Sequence, residues 1–102
     1  MEFQIQQFLK YIEYERGYSA NTLSAYKTDL GQLQTFAEEE GLTAWDTMSP
    51  DFLEAFVTWL QEQYSTSSVA RKVACGRSFL NFLFAEGVIE ADLTEWLQQP
   101  KV

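Results

Sequence analysis

Apolar residues recur every three or four positions along most of this chain, which is the spacing that keeps them on one face of an α-helix. We expect a first helix over about 2–16 and a second over about 20–40. A third should run from Pro50 to near Tyr64, and a fourth from residues 65–68 to Gly87. A short fifth helix is expected over about 93–98. No alternating strand pattern occurs, so the sequence predicts an all-α fold, a compact bundle of four main helices plus a short C-terminal helix.

The predicted ends carry the expected capping residues. Helix starts favour short side chains with an oxygen that accepts a hydrogen bond, and the predicted starts follow Ser19, Ser49, Ser65 and Asp92. Glycine commonly follows the last helical turn, and three helices should stop at Gly17, Gly41 and Gly87. Pro100 should end the short final helix.

One apolar stripe per helix predicts the core. The stripes contain Phe3, Ile5, Phe8, Leu9 and Ile12; Leu23, Tyr26, Leu30, Leu33 and Ala37; Leu53, Phe56, Val57 and Leu60; Val69, Val73, Leu80, Leu83 and Phe84. The 42–49 loop should place Leu42 and Trp45 under the bundle. Val88 and Ile89, which follow the fourth helix, should fill the end of the core. The short final helix would add Leu93, Trp96 and Leu97.

Composition narrows the function classes. The 102 residues suit one domain, and 46% are hydrophobic, which excludes a disordered tail. No apolar run approaches the about 20 residues that span a bilayer, and the N-terminus shows no signal-peptide pattern. Histidine is absent and Cys75 is the one cysteine. The usual nucleophile–base pairs and zinc ligand sets are therefore missing, and we expect no catalysis, cofactor or metal.

The net charge of −8 is unevenly distributed. Residues 16–28 carry +2 and residues 63–85 carry +3, whereas residues 29–62 carry −8 without one cation. A local basic patch can act despite remote acids, because physiological salt screens charge beyond about 8 Å. The alternative is an ordinary solvated surface.

Other chemistry-bearing residues have plain structural interpretations. Glu38, Glu39 and Glu40 point in different directions at a helix end, which favours a solvated terminus over a cation site. Cys75 lies mid-helix and is expected to be a small packing residue rather than a reactive thiol. The five tyrosines are expected at the edge of the core.

Two helix starts could bind anions, because free N–H groups and the helix dipole favour phosphate there. Ser19, Asn21 and Thr22 form the first start, with Lys27 one to two turns later. Polar and basic residues follow the second start: Ser65, Ser67, Ser68, Arg71, Lys72, Arg77 and Ser78. Phosphate binding and ordinary capping both fit this spacing.

Residues 16–30, RGYSANTLSAYKTDL, closely resemble the opening of the core-binding domain of tyrosine recombinases (phage integrases and Xer-type recombinases), R-G-x-S-x-N-T-L-x-A-Y-x-x-D-L. Residues 47–51 resemble the family's third-helix start. Residues 65–72 and 77–87 resemble its S-x-S-S-I-A-R-K/R … R-S-F-F-x-F-L … E-G blocks. The blocks agree in order and spacing over nearly the whole chain.

This resemblance implies a SAM-like bundle that forms half of a clamp around duplex DNA, with the catalytic residues in a separate domain. It implies DNA contacts at Ser19, Asn21, Thr22, Lys27, Ser65, Ser67, Ser68, Arg71, Lys72, Arg77 and Ser78. It places the domain at 1–99 and the start of a linker at 100–102. Double-stranded DNA and other recombinase protomers would be partners of a cytoplasmic, nucleoid-associated protein, and the isolated domain would be a monomer.

The sequence departs from the family pattern at residues 74–76, where Ala74, Cys75 and Gly76 replace the usual S-A-L/I. Gly76 should cost about 1 kcal/mol against alanine and remove a core side chain.

A rival interpretation is a protein-interaction module that uses the acidic 29–62 surface or an aromatic edge of Trp45, Trp59 and Trp96. Cations that face solvent near Lys27 would favour DNA, and cations paired with the bundle's own acids would favour the rival.

Overall fold

The computed structural model describes residues 1–99, and the predicted linker start at 100–102 lies outside the described residues. It contains four α-helices: α1 (Glu2–Tyr14), α2 (Ala20–Glu39), α3 (Pro50–Gln63) and α4 (Thr66–Ala85). Two 3-10 turns, Trp45–Thr47 and Thr94–Trp96, complete the order of elements. No strand occurs within residues 1–99, and the all-α prediction is confirmed.

Serine caps explain where three of the helices begin. Ser19, Ser49 and Ser65 each accept a hydrogen bond from the backbone N–H three residues later, at 3.1–3.4 Å. Each bond satisfies one of the N–H groups that a helix start leaves without an intrahelical partner. The predicted starts of α2, α3 and α4 are therefore confirmed.

Helices α2 and α4 end in the same way. Gly41 and Gly87 adopt φ of +87° and +73°, a region where side chains are strained. The next residues, Leu42 and Val88, donate backbone hydrogen bonds of 2.9 Å to carbonyls five positions earlier. This is the Schellman pattern, and it turns an apolar residue back onto each helix end.

The 42–49 loop enters the core as predicted, through Trp45. The Trp45 ring packs edge-on against Phe79, with centroids 5.1 Å apart. Its indole N–H donates a 2.9 Å hydrogen bond to the carbonyl of Met1. Ile89 is also buried, which confirms its predicted place at the end of the core.

Four apolar predictions are wrong, and one concerns Trp96, which is 39% exposed rather than part of the core. Phe3 and Phe84 are exposed. Phe3 lies five positions before the buried Phe8, which places it on the opposite side of α1. Phe84 directly follows the buried Leu83, and because successive helical residues are rotated by about 100°, its side chain points away from the core. The proposed aromatic edge also loses Trp45, because that side chain is buried.

The chain after α4 forms a strap, residues 92–99, rather than the predicted helix over 93–98. Its helical part is one 3-10 turn, in which Asp92 accepts hydrogen bonds from the Thr94 N–H and hydroxyl at 2.9 and 2.7 Å. Leu97 is fully buried against Gly76, where an added Cβ would lie 2.7 Å from the Leu97 Cδ2. The space that the sequence analysis assigned to a missing core side chain is therefore filled from the strap.

Candidate nucleic-acid interface

Helices α2 and α4 pack against each other and run in opposite directions. The Tyr26 carbonyl accepts a weak 3.9 Å hydrogen bond from the Cys75 thiol, and Gln32, further along α2, contacts Lys72, which precedes Cys75 on α4. Tyr18, just before α2, lines a groove beside Ser78 in the second half of α4. The two predicted phosphate-binding helix starts therefore lie at opposite ends of the α2–α4 contact.

A three-residue charge cluster joins the two helices. Asp29 accepts two hydrogen bonds from Arg71, from Nε at 3.1 Å and Nη2 at 2.8 Å, and a third from Lys72 Nζ at 2.9 Å. Both ion pairs within residues 1–99 use this one carboxylate. We call Asp29, Arg71 and Lys72 the charge triad; its formal charge is +1.

The two cations of the triad have different surroundings. The Arg71 side chain is 49% exposed, whereas those of Lys72 and Asp29 are 5% and 2% exposed. Asp29 raises the pKa of Arg71, chiefly through its hydrogen bonds, so the guanidinium stays charged. Three of the five guanidinium N–H bonds remain for a ligand at the surface.

The Lys72 ammonium is buried and contacts groups inside the protein. Besides Asp29, it donates a 2.6 Å hydrogen bond to Gln32 Oε1 and lies 4.5 Å from the centre of the Tyr64 ring. Two of its three N–H donors are in hydrogen bonds, and the Tyr64 ring covers the ammonium in a side chain that is 5% exposed. Lys72 therefore holds the α2–α4 contact together.

Two further predicted cations lie away from Arg71. Arg77 Nη1 donates to the carbonyls of Thr94 at 3.1 Å and Leu97 at 3.4 Å, which fastens the strap to α4. Lys27 lines a groove between α2 and α1, together with Lys10. Since Lys27 and Asp29 are two positions apart on one helix, they point to nearly opposite sides of α2.

The hydroxyl groups at the two helix starts bond mainly to one another. Ser19 Oγ donates to Thr22 Oγ1 at 3.0 Å, and Ser65 Oγ donates to Ser68 Oγ at 3.2 Å. Ser67 Oγ lies 3.5 Å from Ser65 Oγ. Asn21 and Ser67 are exposed, and their side chains face solvent at the two starts.

One face of α4 connects Arg71 to residues that the sequence analysis missed. Ser67, Arg71, Ser78 and Asn81 share this face, since they repeat at helical spacing and none is buried. Ser78 and Asn81 line a groove of about 340 Å³ together with Arg16. Arg16 belongs to the locally basic 16–28 segment, and Asn81 lies three positions after Ser78, so charge and spacing could have identified both.

The remaining candidate chemistry is structural. Burial raises the pKa of the Cys75 thiol well above its usual range, as expected for a packing residue. Within residues 1–99, no histidine, cysteine or carboxylate side chains are grouped so as to hold a metal ion. None of the helices described for residues 1–99 has the length and apolar character to cross a membrane.

Comparison with known proteins assigns the chain to a family. The tyrosine recombinase XerC of Herpetosiphon aurantiacus is 42% identical over 103 residues, which cover all of this chain and 34% of the relative. The XerC of Roseiflexus castenholzii is also 42% identical, over 100% of this chain and 33% of the relative. The tyrosine recombinase XerD of Agrobacterium fabrum is 36% identical, over 95% and 29%. The chain thus spans about a third of the length of these curated relatives.

No solved structure matches this chain significantly. The model of one sequence family, described as "Phage integrase, N-terminal SAM-like domain", matches residues 5–87, which include all of α2, α3 and α4. The chain therefore belongs to the phage integrase N-terminal SAM-like domain family.

Proposed function

We propose that this chain is the non-catalytic DNA-binding domain of a site-specific tyrosine recombinase, and that it grips duplex DNA through α2 and α4. The relatives that it matches over its whole length are named tyrosine recombinases. Histidine is absent from the sequence and no side chains within residues 1–99 are grouped so as to hold a metal ion, so we assign the strand-cleaving chemistry to another part of such a protein. Other recombinase protomers would be its further partners.

The observation that carries the proposal is the position of Arg71. Its guanidinium is half-exposed and fixed by two hydrogen bonds to a carboxylate that is itself buried. A guanidinium held in this way can donate to phosphate oxygens or to guanine with little further loss of side-chain freedom.

The proposed contacts extend from Arg71 in both directions along α4. Ser65, Ser67 and Ser68 lie at its start and Ser78 lies further along the same helix. The start of α2 adds Ser19, Asn21 and Thr22. Hydroxyl, amide and backbone N–H groups of this kind position a protein on the sugar–phosphate backbone without reading the sequence.

Three cations implied by the resemblance have other surroundings in the fold. We propose internal roles for Lys72, which is buried, and for Arg77, whose Nη1 donates to the strap, and at most a peripheral contact for Lys27. With Arg71 and at most Lys27 neutralising phosphates, the logarithmic salt dependence of binding should have a slope between about −1 and −2.

The test is fluorescence anisotropy of a labelled duplex of about 20 base pairs, titrated with this chain between 50 and 200 mM salt. Arg71→Gln should weaken binding about tenfold at low salt and make the slope shallower by about 0.9, the value of one phosphate contact. Lys10→Gln is the matched control, because it removes the same charge from α1, outside the proposed interface, and should leave the binding unchanged. Equal affinity of the Arg71→Gln variant and the unmodified chain would refute this interface.

A second candidate function is protein binding, and a specific observation favours it. Arg71 and Lys72 pair with the bundle's own Asp29, and Arg77 bonds to backbone carbonyls, which is the arrangement expected of a protein-interaction module. Glu38, Glu39 and Glu40 meanwhile form an exposed acidic end of α2. No anisotropy change at 50 mM salt and millimolar chain would favour this function over DNA binding.

A further inference from the structure

We propose that Lys72 is a positioning residue for phosphate binding: its buried ammonium neutralises Asp29, so that Asp29 orients Arg71 without cancelling the positive charge that Arg71 presents at the surface. This inference rests on the proposed DNA-binding function. It assigns opposite places to two consecutive cations, one toward the ligand and one toward the interior.

The need for Lys72 follows from the geometry of the Arg71 anchor. Asp29 lies 2.8 Å from Arg71 Nη2, so these two residues alone would present a dipole of zero net charge to an approaching phosphate. A neutral pair attracts an anion over a much shorter range than a single cation does. Asp29 alone would fix the Arg71 guanidinium and at the same time remove most of its attraction for a phosphate.

Lys72 restores that attraction from the protein side. Its Nζ lies 2.9 Å from the same Oδ1 atom of Asp29, and the two side chains are 5% and 2% exposed. The buried pair sums to zero, and the exposed Arg71 retains the formal +1 of the triad. Gln32 and Tyr64 complete the surroundings of the ammonium and keep it away from solvent.

The proposed role of Lys72 differs from that of a residue that contacts DNA directly and from that of a purely structural residue. A direct contact needs an ammonium group that reaches the surface, whereas the Lys72 side chain is 5% exposed and donates to Asp29 and Gln32 inside the protein. A purely structural residue would affect folding without affecting the salt dependence of DNA binding in folded protein. The salt slope is therefore the measurement that distinguishes these roles.

The experiment uses the same labelled duplex of about 20 base pairs, with Lys72→Met, Arg71→Gln and the double variant Asp29→Asn/Lys72→Met. Far-ultraviolet circular dichroism first establishes that each variant is helical. Lys72→Met lowers the triad charge to zero and should reduce affinity about tenfold at 50 mM salt, with a slope shallower by about 0.9. The double variant restores a triad charge of +1 and should recover the slope of the unmodified chain.

The outcomes separate this inference from the function on which it rests. If Arg71→Gln weakens binding and Lys72→Met does not, the role of Lys72 is refuted and the interface stands. If neither variant changes binding, the interface fails as well. The double variant remains informative if Lys72→Met does not fold, since it buries no unpaired charge: a slope as shallow as that of Arg71→Gln would refute the neutralising role.

Discussion

Replacing Gly76 by alanine tests how the strap is seated on α4. At an ordinary helical position, glycine to alanine stabilises a protein by about 1 kcal/mol, because alanine loses less backbone entropy on folding. At Gly76 the new Cβ would lie 2.7 Å from Leu97 Cδ2, well inside the 3.5–4.0 Å at which carbon atoms pack favourably. The fully buried Leu97 must therefore move.

The expected change is the balance of these two effects. Overpacking a filled core costs about 1–3 kcal/mol. Set against the helix-propensity gain of about 1 kcal/mol, Gly76→Ala should lower the free energy of unfolding by about 0–2 kcal/mol. The contact with Leu97 thus opposes the gain that alanine gives elsewhere in a helix.

Urea unfolding followed by circular dichroism measures the change, and Gly31→Ala is the matched control. Gly31 is also a helical glycine, but an added Cβ there meets no atom within 4 Å, so Gly31→Ala should stabilise the protein by about 1 kcal/mol. A second control removes the obstruction. In a Leu97→Ala background the clash is absent, and Gly76→Ala should become stabilising. If Gly76→Ala is as stabilising as Gly31→Ala in the unmodified chain, the close approach of Leu97 is refuted.

Three further outcomes follow from buried contacts. Burial raises the pKa of Cys75, so the folded protein favours the neutral thiol, and stability should fall by up to about 1.4 kcal/mol per pH unit above about 8.5, where the unfolded thiol ionises. Urea titrations at pH 8 and 10 should show this additional loss, and Cys75→Ala should abolish it. Trp45→Phe removes the hydrogen bond to Met1 and part of a buried ring, and should cost about 2 kcal/mol in the same assay; an unchanged midpoint would contradict the buried loop. Arg77→Met removes the donors to the strap, so amide hydrogen exchange at Leu97 should accelerate while α1 is unaffected; equal exchange would exclude Arg77 as the fastener.

The candidate interface could be predicted only in part. The local signals at residues 19–22 and 65–68 identify both helix starts, because a serine cap depends on residues three positions apart. The partner of each cation was not predictable, since Arg71 and Lys72 meet Asp29 across more than 40 positions of sequence. The resemblance groups the two cations together, whereas the fold exposes one and buries the other.

The helical class, the helix starts and the glycine stops could be predicted from the residues alone, because periodicity and capping are local properties of the chain. The sequence also placed Trp45 and Ile89 in the core through their apolar character. The packing of the folded chain, in contrast, places Lys27 beside α1, fastens the strap through Arg77, and puts Leu97 in the space beside Gly76. Each of these roles depends on contacts between separate segments of the chain, and this packing determines which charges remain at the surface.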